Sequence, residues 1–345
     1  MRTFQSEGIS VSQDAAALIV PEIGINHGGS LDAALKIADS AIEAGASLIK
    51  HQTHIPDEEM SEEARSAIPG NDPRSIYDII TECSLSEDEE AHLAEHIRSA
   101  GVIYFSTPFS LAAVDRLVGL DVPLFKVGSG ECGHFPLLEK IAATGKPVIL
   151  SSGMNTMETV QKAVSILSQS GADIAILQAT NLYPSPPELL NLNAITDLSG
   201  KFPPHIIGYS DHTTSNVAAI AAIALGARIV ERHFTDSLSR EGPDISCSMT
   251  PREFSELVAA AEVLSRALPG GKIVNAEEEV TRQFAFSSLV STRAIAVGEP
   301  LTTENSTLKR PAGGDFFAET MHDAIGREAA QDIPANRQIR REWLR

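Results

Sequence analysis

The feature that most constrains the fold is a recurring punctuation: a helical pattern ends in glycine, and a short β-branched run follows. It recurs as AGASLIKHQT (44–53), AGVIYFSTPF (100–109), TGKPVILSSG (144–153), SGADIAILQAT (170–180) and LGARIVERHF (225–234). Glycine just past a helix takes the left-handed conformation without steric cost. The run after it is apolar almost throughout, as a parallel strand buried on both faces must be. LIVPEIGIN (18–26), PLFKVGSG (123–130) and HIIGYSDHT (205–213) bring the strands to eight. Helical patterns at 31–44, 86–100, 156–169, 215–224 and 251–267 separate many of them. Eight alternating units over about 250 residues predict an α/β fold of the (β/α)8 TIM-barrel type. The competing doubly wound sheet is disfavoured, because no G-x-G-x-x-G follows the first strand.

The pattern stops after residue 267. LPGGKIVNAEEEVTRQ (268–283) reads as a linker, and 284–345, with short strands and turns, reads as a small β-rich domain. So small a unit is marginal alone and is expected to dock against the barrel or a second chain. Between strands two and three, residues 55–80 exceed an ordinary βα loop, and long loops at strand exits are usually functional. A formal net charge of −19 argues against nucleic acid or an anionic membrane as the main partner. Cys83, Cys132 and Cys247 are spaced for neither a disulfide framework nor a zinc ribbon, and suit a reducing cytoplasm. No apolar run reaches the ~18 residues of a membrane span, so a cytoplasmic location is expected.

In a barrel, chemistry gathers where strands end, and here every strand ends in polar residues. Glu22 and Asn26 flank the first; Lys50 and Gln52 end the second; Thr107 and Phe109 the third. Lys126 and Ser129 end the fourth, Ser151 the fifth; Asn181 and Tyr183 follow the sixth; His212 closes the seventh and His233 the eighth. Side chains alternate faces along a strand, so Lys50 and Gln52 share a face, as do Glu231 and His233, while Arg232 points to the helical layer. Each histidine alone reads as a satisfied core residue. Two ending neighbouring strands, roughly 5 Å apart, equally suit a catalytic Mn, Fe, Co or Zn. Lys50 and Lys126 are snorkelling strand ends or, facing one mouth, holders of a phosphate or carboxylate. The glycines of VGSGECG and SSGMN serve turns or expose N–H groups to an anion. DEEMSEE (57–63) reads as a solvated face, and His51, His54, His92, His96 and the cysteines are assigned to structure.

Ten ordered blocks resemble one family. They are PEIGINHGGS, LIKHQTHIPDEEMS, IPGNDPRSIYDII, FSTPFS, FKVGSGEC, ILSSGMN, ATNLYPSPP, IGYSDHT, ERHFTD with EGPDISCSM, and FAFSSLV with LKRPAGGDF. Together they resemble the bacterial N-acetylneuraminate (sialic acid) synthases from about residue 18 to the end, and the last block resembles their antifreeze-like (SAF) domain. The resemblance implies condensation of phosphoenolpyruvate with N-acetylmannosamine and water to N-acetylneuraminate and phosphate, with C–O cleavage and a divalent metal, typically Mn2+ with Mg2+ or Co2+ as alternatives. It implies His212 and His233 as metal ligands, and Glu22 and Asp244 as catalytic carboxylates. Lys50, Lys126, Ser129, Ser151, Asn181 and Ser210 match the phosphoenolpyruvate pocket. Gln52, Asn71, Thr107, Phe109 and Tyr183 match the sugar side. Arg310, with Phe286 beside it, matches the arginine that caps the partner subunit's sugar in a domain-swapped homodimer.

A legionaminate or related nonulosonate synthase acting on a diacetamido hexose is the near alternative. A metal-dependent hydrolase or lyase on the same barrel is the distant one, and it leaves the paired lysines unexplained. A binding protein without catalysis would have no use for His212 and His233 at the mouth. Gln178-Ala179-Thr180 departs from the family's His-Cys-Thr, and NHGG (26–29) from its commoner NHNG.

Overall fold

The computed structural model describes residues 2–69 and 73–345. Its first two strands, β1 (Thr3–Ser6) and β2 (Ile9–Ser12), form an antiparallel hairpin. The next eight are β3 (Leu18–Gly24), β4 (Leu48–Thr53), β5 (Ile103–Pro108), β6 (Phe125–Val127), β7 (Val148–Ser151), β8 (Ile174–Ala179), β9 (Ile206–Asp211) and β10 (Ile229–His233). They close a parallel barrel in chain order, β10 pairing with β3, so the TIM-barrel expectation holds. The glycines that punctuate it, Gly45, Gly101, Gly145, Gly171 and Gly226, all have positive φ. Helix starts are equally local: Ser30 accepts from the Ala33 N–H, and Ser86 with Glu89 and Thr250 with Glu253 form capping boxes.

The barrel interior is layered. Val20, Leu48, Phe105, Leu124, Ile149, Leu177, Ile206 and Ile229 form an apolar base. One pleat further along the strands, the same faces carry Glu22, Lys50, Thr107, Lys126, Ser151 and Glu231. The outward residues Ile19, Ile49, Tyr104, Leu150, Ile207 and Val230 belong instead to the core shared with the helices. Phe4, Ile9 and Val11 of the β1–β2 hairpin join the apolar base and close it from below. No sequence pattern announced that hairpin: strands of four residues are too short for periodicity to identify.

Other differences are local. β6 covers only Phe125–Val127, and the glycines after it enter a 3-10 turn, Gly130–Gly133. The long 55–80 segment contains a helical turn Pro56–Glu59, a 3-10 turn Glu62–Arg65 and the start of helix Ile76–Cys83. Contacts divide the chain into units 1–269 and 270–345. In the second unit, helix Glu279–Ala285 occupies part of the stretch read as a linker. Beyond it, β11 (Ser288–Ser291) pairs antiparallel with β12 (Ser306–Lys309) over a core including Leu289, Leu301, Phe316, Ile333 and Ile339. Among the described residues no helix is long and apolar enough to cross a membrane.

Candidate active site

The polar layer opens into a cavity of about 160 Å3 at the C-terminal ends of the barrel strands. Lys50, Lys126, Ser129, Ser151, Asn181 and Ser210 line it. So do Gln52, Thr107, Phe109, Tyr183, His212 and His233. Glu22 lies against this wall, 3.3 Å from Lys50 Nζ, and Asp244 is 3.6 Å from His233 Nδ1. Asn71 falls outside the described residues. Phe286 and Arg310 are exposed residues of the second unit, Arg310 in a groove with Lys309 and Arg337.

Two glycines shape the cavity wall. A bulge follows Glu22 at Gly24, which takes φ +39°, and a Cβ there would stand 2.6 Å from Glu22 Oε2. A Cβ on Gly153 would stand 1.9 Å from Asn181 Oδ1 and 2.7 Å from Ser129 Oγ, so only glycine lets these groups crowd together.

Charge alternates through the buried layer. Lys50 Nζ stands 3.3 Å from Glu22 and 3.7 Å from Glu231. Lys126 Nζ is 3.7 Å from Glu231 and donates to Ser151 Oγ at 2.7 Å. Glu231 thus bridges both lysines, and it takes a bond from the Ser210 hydroxyl at 3.3 Å. Burial pulls Lys126 down to about 8, against the opposing pull of Glu231. For Glu22 burial acts upward, but Lys50 and then His233 outweigh it and hold the carboxyl well below the usual carboxylate range. Burial pushes the Glu131 carboxyl, at the same cavity, up to about 7. Thr107 Oγ1, Asn181 Oδ1 and Glu231 Oε2 are buried without a hydrogen-bond partner. Unsatisfied buried polar atoms are costly, so acceptors and donors gathered at one cavity mark a place for a polar ligand.

His212 and His233 meet, with ring centroids 5.5 Å apart, and the Tyr183 ring lies 4.3 Å from His212. His212 Nδ1 donates to the Thr180 carbonyl at 2.7 Å. His233 Nδ1 is 2.6 Å from Glu22 Oε2, an ion pair off the hydrogen-bond line. Burial and the neighbouring His233 push His212 down to about 3; Asp244 and Glu22 overcome burial and lift His233 to about 8. Each Nδ1 faces an oxygen, which is how metal-binding imidazoles are oriented, with Nε2 left for the ion. These donors fit a divalent cation held by two imidazoles. Among the described residues no three His, Cys, Asp or Glu side chains form a ready metal cluster. Outside the barrel, Arg232 is 3.2 Å from Asp211 and donates to the Thr213 carbonyl and Asn216, bracing the two strands that carry the histidines.

Two contributions escaped the sequence. Glu231 was legible only as an inward neighbour of His233, and its place between two lysines depends on the stagger of β4, β6 and β10. His51 and His54, assigned to structure, divide. His51 faces outward and bonds His27 and Tyr104, whereas His54 contacts Gln52, which lines the cavity. The alternation from Lys50 through His54 was the available signal, but it ends where the strand does.

Comparison with known proteins agrees with this fold. The NeuB family matches residues 37–273, and the SAF domain matches 286–344. An uncharacterized protein of Methanocaldococcus jannaschii is 37% identical, over 88% of each chain. The N,N'-diacetyllegionaminic acid synthase of Campylobacter jejuni is 32% identical over 94% of this chain and 98% of its own. The solved N-acetylneuraminic acid (sialic acid) synthetase of Leptospira borgpetersenii superposes with a TM-score of 0.73 at 28% identity, covering 81% of this chain and 96% of that one. A sialic acid or nonulosonate synthase-like barrel carrying a SAF domain, this chain belongs to the NeuB family.

Proposed function

We propose that the protein condenses phosphoenolpyruvate with N-acetylmannosamine and water, giving N-acetylneuraminate and phosphate. The observation that carries the reading is the pair of buried lysines, Lys50 and Lys126, in one cavity with unsatisfied Thr107 Oγ1 and Asn181 Oδ1. The lysines hold the phosphate and carboxylate of the enol phosphate, and a bound anion favours the charged form of Lys126 that burial disfavours. Ser129, Ser151, Ser210 and Asn181 orient that anion. Gln52, Thr107, Phe109 and Tyr183 form the wall against which the sugar is placed.

His212 and His233 would hold a divalent cation, Mn2+ first with Mg2+ or Co2+ as alternatives, which when bound supplies Lewis-acid polarisation of the sugar carbonyl. The enol carbon attacks that carbonyl, and water then attacks the oxocarbenium carbon, so the C–O bond to phosphate breaks. Glu22 serves that step as base or as fixed negative charge, with Asp244 the second carboxylate beside it. Arg310 and Phe286 of one subunit cap the partner's sugar in a swapped homodimer. Mixing inactive His233→Ala chains with inactive Arg310→Glu chains is expected to restore activity, and verified mixed dimers without recovery would remove the cap from the proposal.

The deciding experiment is phosphate release from phosphoenolpyruvate with N-acetylmannosamine, with and without Mn2+ and after EDTA. Release that ignores the sugar or the chelator would sink the reading. A 2,4-diacetamido hexose is expected to give a lower kcat/KM; a higher one moves the assignment to legionaminate, the activity in the name of the 32% identical Campylobacter jejuni relative.

A further inference from the structure

His54 is buried at the end of β4, and the proposed chemistry does not use it. Its ring stacks on Phe109, centroids 4.1 Å apart and planes inclined by 16°. Nδ1 lies 3.0 Å from both Glu59 oxygens, and Nε2 lies 2.9 Å from Gln52 Oε1. The other end of that amide, Gln52 Nε2, donates to Glu22 Oε1 at 3.3 Å. Glu59 reaches back because the turn Pro56–Glu59 folds onto the strand end, with the Glu58 and Glu59 N–H groups donating to the Ile55 carbonyl.

Counting donors and acceptors leaves one arrangement of hydrogens. Gln52 turns its N–H2 toward Glu22 Oε1, an oxygen that also lies 3.3 Å from the Lys50 ammonium and so serves both as acceptor. The Gln52 carbonyl then faces His54, whose Nε2 must carry a hydrogen. Glu59 faces Nδ1 as a further acceptor, so the ring is held between two acceptors. Reversing the amide would set oxygen against the Glu22 carboxylate and N–H2 against the Nε2 hydrogen. Neither His54 nor Glu59 lines the cavity, while Gln52 does.

We propose that His54, oriented by Glu59, is a positioning residue that locks the Gln52 amide with its N–H2 toward Glu22, and so sets the hydrogen-bonding face the cavity offers the sugar. The proposal rests on Gln52 and Glu22 serving the synthase site described above. A histidine suits the task because a carboxylate at one nitrogen determines what the other presents, and the flat ring packs on Phe109. The competing account makes the Glu59–His54 pair a clasp that only pins residues 55–60 to the barrel.

A double-mutant cycle separates the two. His54→Phe keeps the ring stack and removes both donors; it is expected to lower kcat/KM for the sugar by about 10- to 100-fold. Combined with Gln52→Ala, it is expected to add little to the loss from Gln52→Ala alone, because both act on one amide. Glu59→Gln, nearly isosteric and outside the cavity, is expected to lose activity in the same direction. Additive losses in the cycle, or a wild-type-like Glu59→Gln beside an impaired His54→Phe, would overturn the lock. A readout independent of turnover is 15N NMR of the labelled full chain. His54 Nε2 is expected to carry a proton at pH 7, and the Gln52 amide signals to move in Glu59→Gln. An unprotonated Nε2 overturns the lock even in an active enzyme. A protonated Nε2 with coupled Gln52 signals, in a chain that turns over no sugar, supports the lock and counts against the synthase reading instead.

Discussion

The two faces of β4 both carry polar residues, put to different ends. Outward, the Gly29 N–H donates to His27 Nδ1 at 3.1 Å, which leaves the hydrogen on His27 Nε2 to bond His51 Nε2, also at 3.1 Å. His51 Nδ1 then donates to the Tyr104 hydroxyl at 3.2 Å, and that hydroxyl donates to Glu90 at 2.8 Å. Burial, then His51, pushes His27 down to about 3. Every member of this outward chain has a partner. Inward, Lys50 and Gln52 face a cavity where Thr107, Asn181 and Glu231 keep unpaired atoms. A closed network stabilises the barrel and excludes ligands, while an open one waits for a ligand to complete it.

Substitutions on the two faces should therefore separate activity from stability. The largest effect is expected inward: Glu22→Gln should lower kcat per folded molecule by roughly 100- to 10,000-fold. A variant that unfolds instead would place Glu22 among the structural groups. Outward, Glu90→Leu leaves Arg116, 3.2 Å from Glu90, without its carboxylate. It should cost about 3–5 kcal/mol in denaturant melts with near-normal activity per folded molecule.

The pH dependence tests the open face. Glu131 is pushed up to about 7 from an ordinary 4.5. Below 4.5 the folded and unfolded chains both hold its proton; as pH rises toward 7 the unfolded chain releases it first, so stability falls, by at most about 3 kcal/mol. Glu131→Gln should flatten this slope between pH 5 and pH 8, and an unchanged slope would show that Glu131 is not its source. The smallest effect is expected from Thr53→Val, which removes a hydroxyl bonded to Glu90 and, at 2.7 Å, to Ser106. It should cost about 1–2 kcal/mol without altering sugar KM. Gln52→Leu, one residue earlier, should raise sugar KM and leave the melt nearly unchanged.

The barrel was legible because its signals are local. Glycine termination, caps and apolar runs are decided within a few residues, and all eight predicted barrel strands are present. The inward sets Lys50–Gln52 and Glu231–His233 were legible for the same reason. The β1–β2 hairpin was not, since its burial comes from the barrel base above it rather than from its own pattern. Glu231 and His54 were missed because partners 181 and 5 residues away in sequence, Lys50 and Glu59, give them their roles.

By itself, then, the sequence determined that eight strands alternate with helices and which side chains turn inward, because strand alternation has a period of two residues. Only the tertiary structure decided which inward groups meet. Barrel stagger set Glu231 between Lys50 and Lys126, and the returning turn at Pro56–Glu59 gave His54 its carboxylate. The physical reason is range: backbone geometry sets a side chain's direction residue by residue, whereas its partner depends on where distant strands and loops come to rest.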